Sequence, residues 1–409
     1  MPEIQPFAGI RYGVPDADLP KVLAPPYDVI PPSYQDELYA RDPRNIVRVV
    51  LNREAGDAAY REAGRSYRSW LDSGVLAADD APGLYVLEQV FEAAGRTHTR
   101  LGLLARFRAT DKSAGEVLPH EHTRAAAKED RYKVLRETRA NFSPIFLMSE
   151  DPHHAFAGAL ESARSASPTA SYTDDGGIAH RMWRVTDASA LGAFQRALGR
   201  SKSYIADGHH RYATALRYRD EVAADGAWTF GYFTPLDSPG LLVLPYHRLL
   251  GAGPTLAEAR AKLAGAFLLN DVPDAASAAR DAAQSTMPYA FALAEPGHGA
   301  LVAEALPEAE DLLPADAPPS LRALDTYFLH QAVLPRLFGL DDSAVRYVHS
   351  QAEAEHALAL GNCRLALLLR ATPVRQIVDV AEAGESMPAK STFFHPKLPS
   401  GLVIHPLIA

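Results

Sequence analysis

IADGHHRYATAL, at positions 205–216, predicts a strand, a sharp turn and a helix in direct succession. Its apolar residues end at Ala206, and Asp207 and Gly208 separate them from a run of good helix formers. We expect Asp207 to cap the helix, because aspartate is a preferred N-cap residue. Gly208 leaves the backbone open to close approach, and the first amides of a helix have no partner within it. The turn is therefore predicted to bind an anion.

Three basic side chains follow in the first turn of the predicted helix. His209, His210 and Arg211 offer up to three cationic donors, and an arginine can hold a phosphate or a carboxylate through two parallel hydrogen bonds. The alternative is that they cap the helix and pair with surface acids. Cations at a helix N-terminus oppose the local dipole, so clustering them there stabilises little unless an anion binds. We interpret the segment as a phosphate site.

The segments around this turn alternate between strands and helices. Runs at 84–93 and 97–109 flank a turn at Gly95 and predict a hairpin, and residues 125–139 carry the apolar stripe of an amphipathic helix. From PIFLMS to residue 216, strand and helix patterns alternate in a βαβ manner. The prediction is an α/β fold of mixed α+β character, with a mixed sheet in its N-terminal region.

A change of pattern marks a boundary between two domains. After the strand candidates WTFGYFTPL and LLVLPYHRLL, an Ala-rich helix pattern begins at Thr255. We expect a phosphate-binding catalytic domain at 1–252 and a smaller C-terminal α/β domain at 253–409, closed by KSTFFHPK. The smaller domain has predicted strands near 288–294, 344–348 and 363–370 and predicted helices near 321–338 and 351–360.

Composition restricts the partners of the protein. Apolar residues make up 47% and charged residues 22% of the 409 positions, as in ordinary globular proteins. The formal charge of −9 opposes nonspecific binding to nucleic acid. No apolar run is long enough to cross a bilayer, and the start of the chain lacks the pattern of a signal peptide. We expect a cytoplasmic protein without a membrane partner and leave its oligomeric state open.

A second group of ionisable residues occurs in LPHEHTRAAAKEDRYKVL, at 118–135. On an extended segment, His120 and His122 would share one face, which suits a metal ion, but no third ligand is identifiable for zinc. Proton transfer or substrate binding by these histidines or by Glu121 is the preferred interpretation, and a solvated loop is the alternative. Lys128, Glu129, Asp130 and Arg131 follow in the first turns of the predicted helix.

Prolines frame an acidic residue near the N-terminus, in LAPPYDVIPP at 23–32. Proline restricts its own φ angle and the conformation of the residue before it, so Tyr27 and Asp28 are predicted to be held rigidly. Asp28 could then act as a base or as a magnesium ligand. A simple turn explains the pattern equally well.

The C-terminal MPAKSTFFHPKLPSG concentrates donors that suit an anion. They are Lys390, Ser391, Thr392, His395 and Lys397. Exposed lysine and serine residues near a terminus are also common on a solvated surface, which is the alternative interpretation.

Several motifs together resemble one protein family. APPYDVI, HEHT followed by KEDR, ANFSPIF, DGHHRYATAL and KSTFFHPK are similar to the bacterial and archaeal family known as domain of unknown function 1015 (DUF1015), whose members are often labelled ParB-like. DGHHR also resembles a loop of the ParB and sulfiredoxin superfamily, which includes free-serine kinases. In those kinases the loop binds phosphate, and its acid and histidines assist transfer to the serine hydroxyl. The resemblance implies such roles for Asp207, His209, His210 and Arg211 and a ParB/sulfiredoxin-like N-terminal region.

The combined expectation is a small-molecule phosphotransferase, a kinase that acts on a free hydroxyl amino acid such as serine. Positioning and charge neutralisation dominate phosphoryl transfer, and a helix N-terminus with Arg211 and Mg²⁺ would supply both. GxxxxGK and GxGxxG are absent, so the donor, which could be ATP, ADP or pyrophosphate, would not bind a P-loop or a Rossmann site. A phosphatase or nucleotide hydrolase and a ParB-like regulatory or nucleic-acid-binding protein are the alternatives.

These patterns assign roles to particular residues. The expected catalytic residues are Asp28, Glu121, Asp207, His209 and His210, with Asp28 or Asp207 as the Mg²⁺ ligand. The expected phosphate- and substrate-binding residues are His120, His122, Lys128, Arg131, Gly208, Arg211, Lys390, Ser391, Thr392 and Lys397.

Overall fold

The computed structural model of the protein describes residues 2–222 and 228–407, which divide into two compact units. Unit 1 comprises the described residues of Met1–Pro119, Thr123–Leu242 and Pro396–Ala409, and unit 2 comprises those of His120–His122 and Val243–His395. The division after Leu242 falls before the sequence boundary at 252, because the strand His247–Leu250 belongs to the six-stranded sheet of unit 2.

Unit 1 contains a large mixed sheet with helices packed against it. Its strands are β1 (Ile4–Gln5), β2 (Ile10–Tyr12), β3 (Leu76–Ala78), β4 (Leu84–Ala93), β5 (Arg96–Arg108), β6 (Val117–Leu118), β7 (Ala140–Asn141), β8 (Ile145–Ser149), β9 (Ala170–Thr173), β10 (Ala179–Val185), β11 (Ser203–Asp207) and β12 (Trp228–Pro235). Its helices are α1 (Leu19–Val22), α2 (Pro32–Arg41), α3 (Val47–Val50), α4 (Asp57–Asp72), α5 (Ala125–Thr138), α6 (Ala155–Ala163), α7 (Ala188–Leu198) and α8 (His209–Glu221), with 3₁₀ turns that include Tyr27–Val29.

The predicted hairpin is confirmed at the centre of this sheet. The strands follow the order β6-β11-β8-β12-β5-β4-β10-β9, with β1 paired to β5, and β4 and β5 are antiparallel. Ala94 and Gly95 alone connect them, and both have positive φ, as a two-residue turn requires if it is to match the strand twist. Leu84, Val86 and Leu103 are completely buried in the core beneath them.

The predicted βαβ arrangement needs a correction in strand direction. β8 and β11 are antiparallel neighbours, whereas β12 is parallel to β8 and β6 is parallel to β11. Between β8 and β11 the chain passes through the β9–β10 pair at the other end of the sheet. Alternation of strands and helices along the sequence does not specify that the chain comes back from there to place β11 beside β8. The alternation therefore predicts the elements but not their directions.

Unit 2 has a separate antiparallel six-stranded sheet of order β15-β17-β16-β19-β14-β18. The strands of this part of the chain are β13 (Leu242–Leu244), β14 (His247–Leu250), β15 (Phe267–Val272), β16 (Phe291–Glu295), β17 (Gly299–Ala305), β18 (Val345–Val348), β19 (Leu365–Leu369) and β20 (Phe393–His395). The helices are α9 (Leu256–Leu263), α10 (Ala275–Gln284), α11 (Pro319–Arg322), α12 (Asp325–Phe328), a π-helix (Leu329–Phe338), α13 (Gln351–Ala359) and α14 (Val374–Glu382).

The long helix predicted near 321–338 is divided into three pieces in the structure. The last of them, Leu329–Phe338, has π-helical hydrogen bonding and contains Pro335. Proline has no amide hydrogen to donate within a helix, which explains why regular α-helical bonding does not continue through this segment. The predicted helix after Thr255 is confirmed, and Thr255 and Glu258 form a capping box at its start.

The chain returns to unit 1 at Pro396 and crosses it to β21 (His405–Pro406), which pairs with β7. Backbone bridges from Ser400 to Ala24 and from Ile404 to Ile10 hold this return segment. In the ranges 2–222 and 228–407, no helix combines the length and the apolar character that a membrane span needs.

Candidate functional site

The strand, turn and helix predicted from IADGHHRYATAL are present as β11, Gly208 and α8. The N-cap of α8 is Gly208, with φ of 97°, and no side chain caps the helix. The predicted capping role of Asp207 is therefore wrong. Its carboxylate binds two cationic side chains instead of a helix amide.

Asp207 connects two distant parts of unit 1. Its Oδ2 accepts a hydrogen bond from Arg211 at 2.6 Å, and its Oδ1 accepts one from Lys397 at 2.6 Å. Burial by itself would raise the pKa of Asp207, but attraction to Lys397, Arg211 and His209 holds that pKa well below its usual range. The carboxylate is consequently ionised at neutral pH, and both of its oxygens are already engaged.

A third cation makes the surroundings of Asp207 positive. Arg100, on β5, is completely buried and donates to Gln89 and to the carbonyl of Pro396. Burial lowers the pKa of Arg100, and Asp207 is among the groups that oppose this shift. Arg100, Arg211 and Lys397 thus surround one carboxylate. Such an excess of buried positive charge favours a bound anion.

Arg211 also lines a cavity that contains a second arginine. Arg131 lies 3.8 Å from the centre of the Tyr27 ring and donates to the carbonyl of Val50 at 2.7 Å. The two arginines and Tyr27 line this cavity together with Val50, Val134, Leu135, Ala140, Asn141, Phe142, Ser143 and Thr214. We call it the arginine cavity. Its two guanidinium groups each pair with a carboxylate, Arg131 with Asp130 and Arg211 with Asp207, and are of the type that binds phosphate or carboxylate oxygens.

Charged groups without partners lie near the start of α8. Burial lowers the pKa of His210, Asp28 opposes that shift, and Arg124, Arg211 and Lys128 add to it. The backbone amide of Arg124 donates to Nε2 of His210 at 3.0 Å, so the ring is neutral and carries its proton on Nδ1. Within the described parts of the chain, Asp28 and Lys128 make no side-chain hydrogen bond or ion pair. Both charges can therefore interact with a ligand.

The loop LAPPYDVI borders a second cavity, which we call the lysine cavity. Leu23, Ala24 and Pro25 line it, and so does Lys397. The same loop thus contributes Tyr27 to the arginine cavity and its preceding residues to the lysine cavity. Asp207 binds one cationic side chain of each cavity, Arg211 in the arginine cavity and Lys397 in the lysine cavity.

Unit 1 therefore brings together one part of the predicted set. Its members are Asp28, Lys128, Arg131, Asp207, Gly208, His209, His210, Arg211 and Lys397. The remaining members, His120, Glu121, His122, Lys390, Ser391 and Thr392, belong to unit 2.

In unit 2 the predicted residues form their own contacts. His120 is buried, with Nε2 3.4 Å from Oγ1 of Thr392, and Glu121 forms a backbone bridge with Met387. Ser391 is buried and donates to the carbonyl of Pro388 at 2.7 Å. His120 and Ser391 therefore lie in packed segments, whereas His122 is exposed to solvent.

Mg²⁺ at Asp28 or Asp207 was the metal expected from the sequence, whereas zinc at HEHT was not the preferred interpretation. Among residues 2–222 and 228–407, no group of three or more histidine, cysteine, aspartate or glutamate side chains could hold a metal ion. Magnesium needs fewer protein ligands, because it is usually bound by one or two carboxylates together with phosphate oxygens and water. Asp28 fits this requirement better than Asp207, whose two oxygens already bind cations.

The sequence reasoning missed several residues of unit 1. Arg100 directly precedes the run LGLLARF at 101–107, and a charged residue at a buried strand position is the signal that could have identified it. Asn141, Phe142 and Ser143 belong to the quoted ANFSPIF motif, but no role followed from their chemistry. Arg124 donates its backbone amide to His210, and the sequence offers no signal for this contact.

Comparison of the structure with solved structures shows distant similarity. A free serine kinase in complex with AMP matches with a TM-score of 0.35 and 14% identity, over 74% of this chain and 92% of that chain. SbnI with a C-terminal truncation from Staphylococcus aureus matches with a TM-score of 0.39 and 10% identity, over 74% and 87%. A conserved hypothetical protein from Pyrococcus furiosus gives 0.34 and 13%, over 74% and 95%.

Comparison of the sequence identifies a family. No curated protein matches the chain. The family described as protein of unknown function (DUF1015) matches residues 4–327, which include LAPPYDVI, HEHT, ANFSPIF and DGHHR but end before KSTFFHPK. With most of its length matched, the chain belongs to the DUF1015 family.

Proposed function

We propose that unit 1 is a small-molecule phosphotransferase that transfers a phosphoryl group to the hydroxyl of a free amino acid such as serine. The observation that carries this proposal is the cluster of Arg100, Arg211 and Lys397 around Asp207, at the N-terminus of α8. This cluster has more positive than negative charge. The similarity of DGHHR to the phosphate-binding loop of free-serine kinases supports the same chemistry.

The phosphoryl donor would bind through the arginine cavity. Arg131 and Arg211 would hold the oxygens of its terminal phosphate, and the first amides of α8 would add neutral donors that favour an anion. Lys128, which has no ion pair with a described residue, would neutralise further charge. ATP, ADP and pyrophosphate all present the phosphate that such a site requires.

The transfer itself needs a group that accepts a proton. The serine oxygen forms a bond to the terminal phosphorus, the bond from phosphorus to the bridging oxygen of the donor breaks, and its electron pair leaves with the donor. The hydroxyl proton passes to a base. Asp28 is the carboxylate that could accept it or could bind Mg²⁺, whereas Asp207 positions Arg211 and Lys397.

The test is to incubate the protein with serine, Mg²⁺ and each of the three donors and to detect phosphoserine by phosphorus NMR. We expect product with at least one donor, an Asp28→Asn variant slower by about 10²-fold or more, and an Arg131→Gln variant with a raised KM for the donor. Arg65→Gln is the control, because Arg65 is exposed on α4 and pairs with Glu62. Absence of phosphoserine with every donor would refute the proposal.

Two other outcomes would favour the alternatives. Release of phosphate without an acceptor would identify a phosphatase or a nucleotide hydrolase that uses the same cationic cluster. Binding of DNA that weakens steeply with salt would favour a ParB-like protein, although the net charge of −9 opposes it.

A further inference from the structure

The lysine cavity lies within unit 1 and is sized for a small molecule. Its volume is about 110 Å³, and a single water needs roughly 10–15 Å³ on the same scale, so several non-hydrogen atoms fit. Pro20, Leu23 and Pro25 form part of an apolar wall. The cavity is therefore suited to a compact ligand with both apolar and polar surface.

Opposite charges lie at this cavity and neutralise each other. Nη1 of Arg41, at the end of α2, is 2.5 Å from Oδ2 of Asp175. The side chains are 23% and 51% exposed, and pairs in such settings contribute little stability. A ligand with one negative and one positive group can therefore replace this pair at little cost.

Asp175 is held by a turn that is already ordered. The neighbouring Asp174 accepts hydrogen bonds from the amides of Gly176 and Ile178 at 2.9 and 3.0 Å. The other oxygen of Asp174 is 2.9 Å from Nε2 of the buried His180. A turn fixed in this way loses little conformational freedom when a ligand binds.

We propose that the lysine cavity is the site of the zwitterionic acceptor, an inference that rests on the proposed phosphotransferase function. Arg41 binds the carboxylate of the amino acid, and Asp175 binds its ammonium group. The hydroxyl end faces Lys397. Lys397 binds Asp207, and Asp207 also binds Arg211, which lines the arginine cavity. Asp207 thereby links the acceptor site with the phosphate site.

Equilibrium binding to the full chain tests this assignment without turnover. Isothermal titration calorimetry would compare L-serine with ethanolamine, which lacks the carboxylate, and with 3-hydroxypropanoate, which lacks the ammonium group. We expect serine to bind about tenfold more tightly than either analogue. Arg41→Gln should bind serine no more tightly than ethanolamine but still more tightly than 3-hydroxypropanoate. Asp175→Asn should bind serine no more tightly than 3-hydroxypropanoate but still more tightly than ethanolamine.

A matched control is Arg53→Gln, since Arg53 forms an exposed pair with Asp36. This variant should leave the affinity of serine relative to each of the two analogues unchanged. Absence of serine binding, or ratios that do not respond to Arg41→Gln and Asp175→Asn, would overturn the assignment. Phosphoserine formation with an unchanged KM for serine in both variants would refute the cavity but retain the function. Selective binding that responds to both variants, without phosphoserine from any donor, would retain the cavity and refute the function.

Discussion

Lys397 donates a hydrogen bond of 2.6 Å to Oδ1 of Asp207, although 190 positions of the chain separate the two residues. The contact attaches the returning C-terminal segment to the turn that begins α8. It also gives Asp207 a second cation beside Arg211. The charge balance of the candidate site therefore depends on residues that the sequence places far apart.

The first prediction concerns the stability that this pair provides. Both side chains are largely buried, at 13% and 17% exposure. Loss of Asp207 leaves the surrounding cations without their shared carboxylate, and loss of Lys397 leaves Oδ1 of Asp207 without its donor. We expect Lys397→Met and Asp207→Asn each to lower the free energy of unfolding by about 3 kcal/mol, and the double variant to lower it by less than the sum. Urea denaturation of the three variants measures the coupling.

The exposed pair of Lys21 and Asp18 provides the control cycle, because solvent screens it and no measurable coupling is expected there. Additive effects of the Lys397 and Asp207 variants would contradict a direct interaction between them.

The second prediction concerns the backbone of the turn. Gly208 has φ of 97°, and an added Cβ would lie 3.0 Å from the guanidinium carbon of Arg211. Gly208→Ala should therefore lower stability by about 1–2 kcal/mol and weaken the binding of inorganic phosphate, as measured by calorimetry. Gly158→Ala, within α6 and free of close neighbours, should leave phosphate binding unchanged. Equal phosphate affinity in both variants would show that Gly208 does not shape the site.

The third prediction concerns the electrostatic contact between Asp28 and His210. Burial lowers the pKa of His210, and the charge of Asp28 opposes that shift. Asp28→Asn removes the opposing attraction, so the pKa of His210 should fall further. NMR titration of the labelled imidazole at low salt measures the change, and Asp36→Asn serves as a control. A rise in the pKa would mean that Asp28 does not face the histidine.

The fourth prediction concerns stability at low pH. Burial, together with the nearby charge of Arg106, lowers the pKa of His405 to about 3, whereas an unfolded histidine titrates near 6.5. Between these values the unfolded chain binds a proton that the folded chain does not, so stability is complete above about pH 6.5 and falls as the pH falls. The contribution lost between pH 7 and pH 5 is about 2 kcal/mol.

His405→Gln should remove this contribution and flatten the dependence of stability on pH by that amount in urea denaturation. His298→Gln, at an exposed position, should follow the wild-type curve. A wild-type curve that does not fall between pH 7 and pH 5 relative to His405→Gln would contradict the prediction.

Local patterns in the sequence predicted the elements better than their assembly. The hairpin of β4 and β5 and the succession of β11 and α8 follow from alternation and turn residues within a few positions. The antiparallel pairing of β8 with β11 could not be predicted, since it depends on where the intervening chain joins the sheet. For the same reason the contact of Lys397 with Asp207 has no local signal, and Lys397 was selected only for its charge.

The order of the segments has a consequence for how Lys397 reaches Asp207. Unit 1 is interrupted by Val243–His395, so this stretch tethers the returning segment. When the tether is folded, it restricts the volume that the segment can explore and raises the effective concentration of Lys397 at its binding partner. When the tether unfolds, the closing loop becomes long and flexible, and closing it costs more entropy. Denaturation of unit 2 should therefore weaken the contact of Lys397 with Asp207, because the chain that connects the two parts of unit 1 becomes long and flexible.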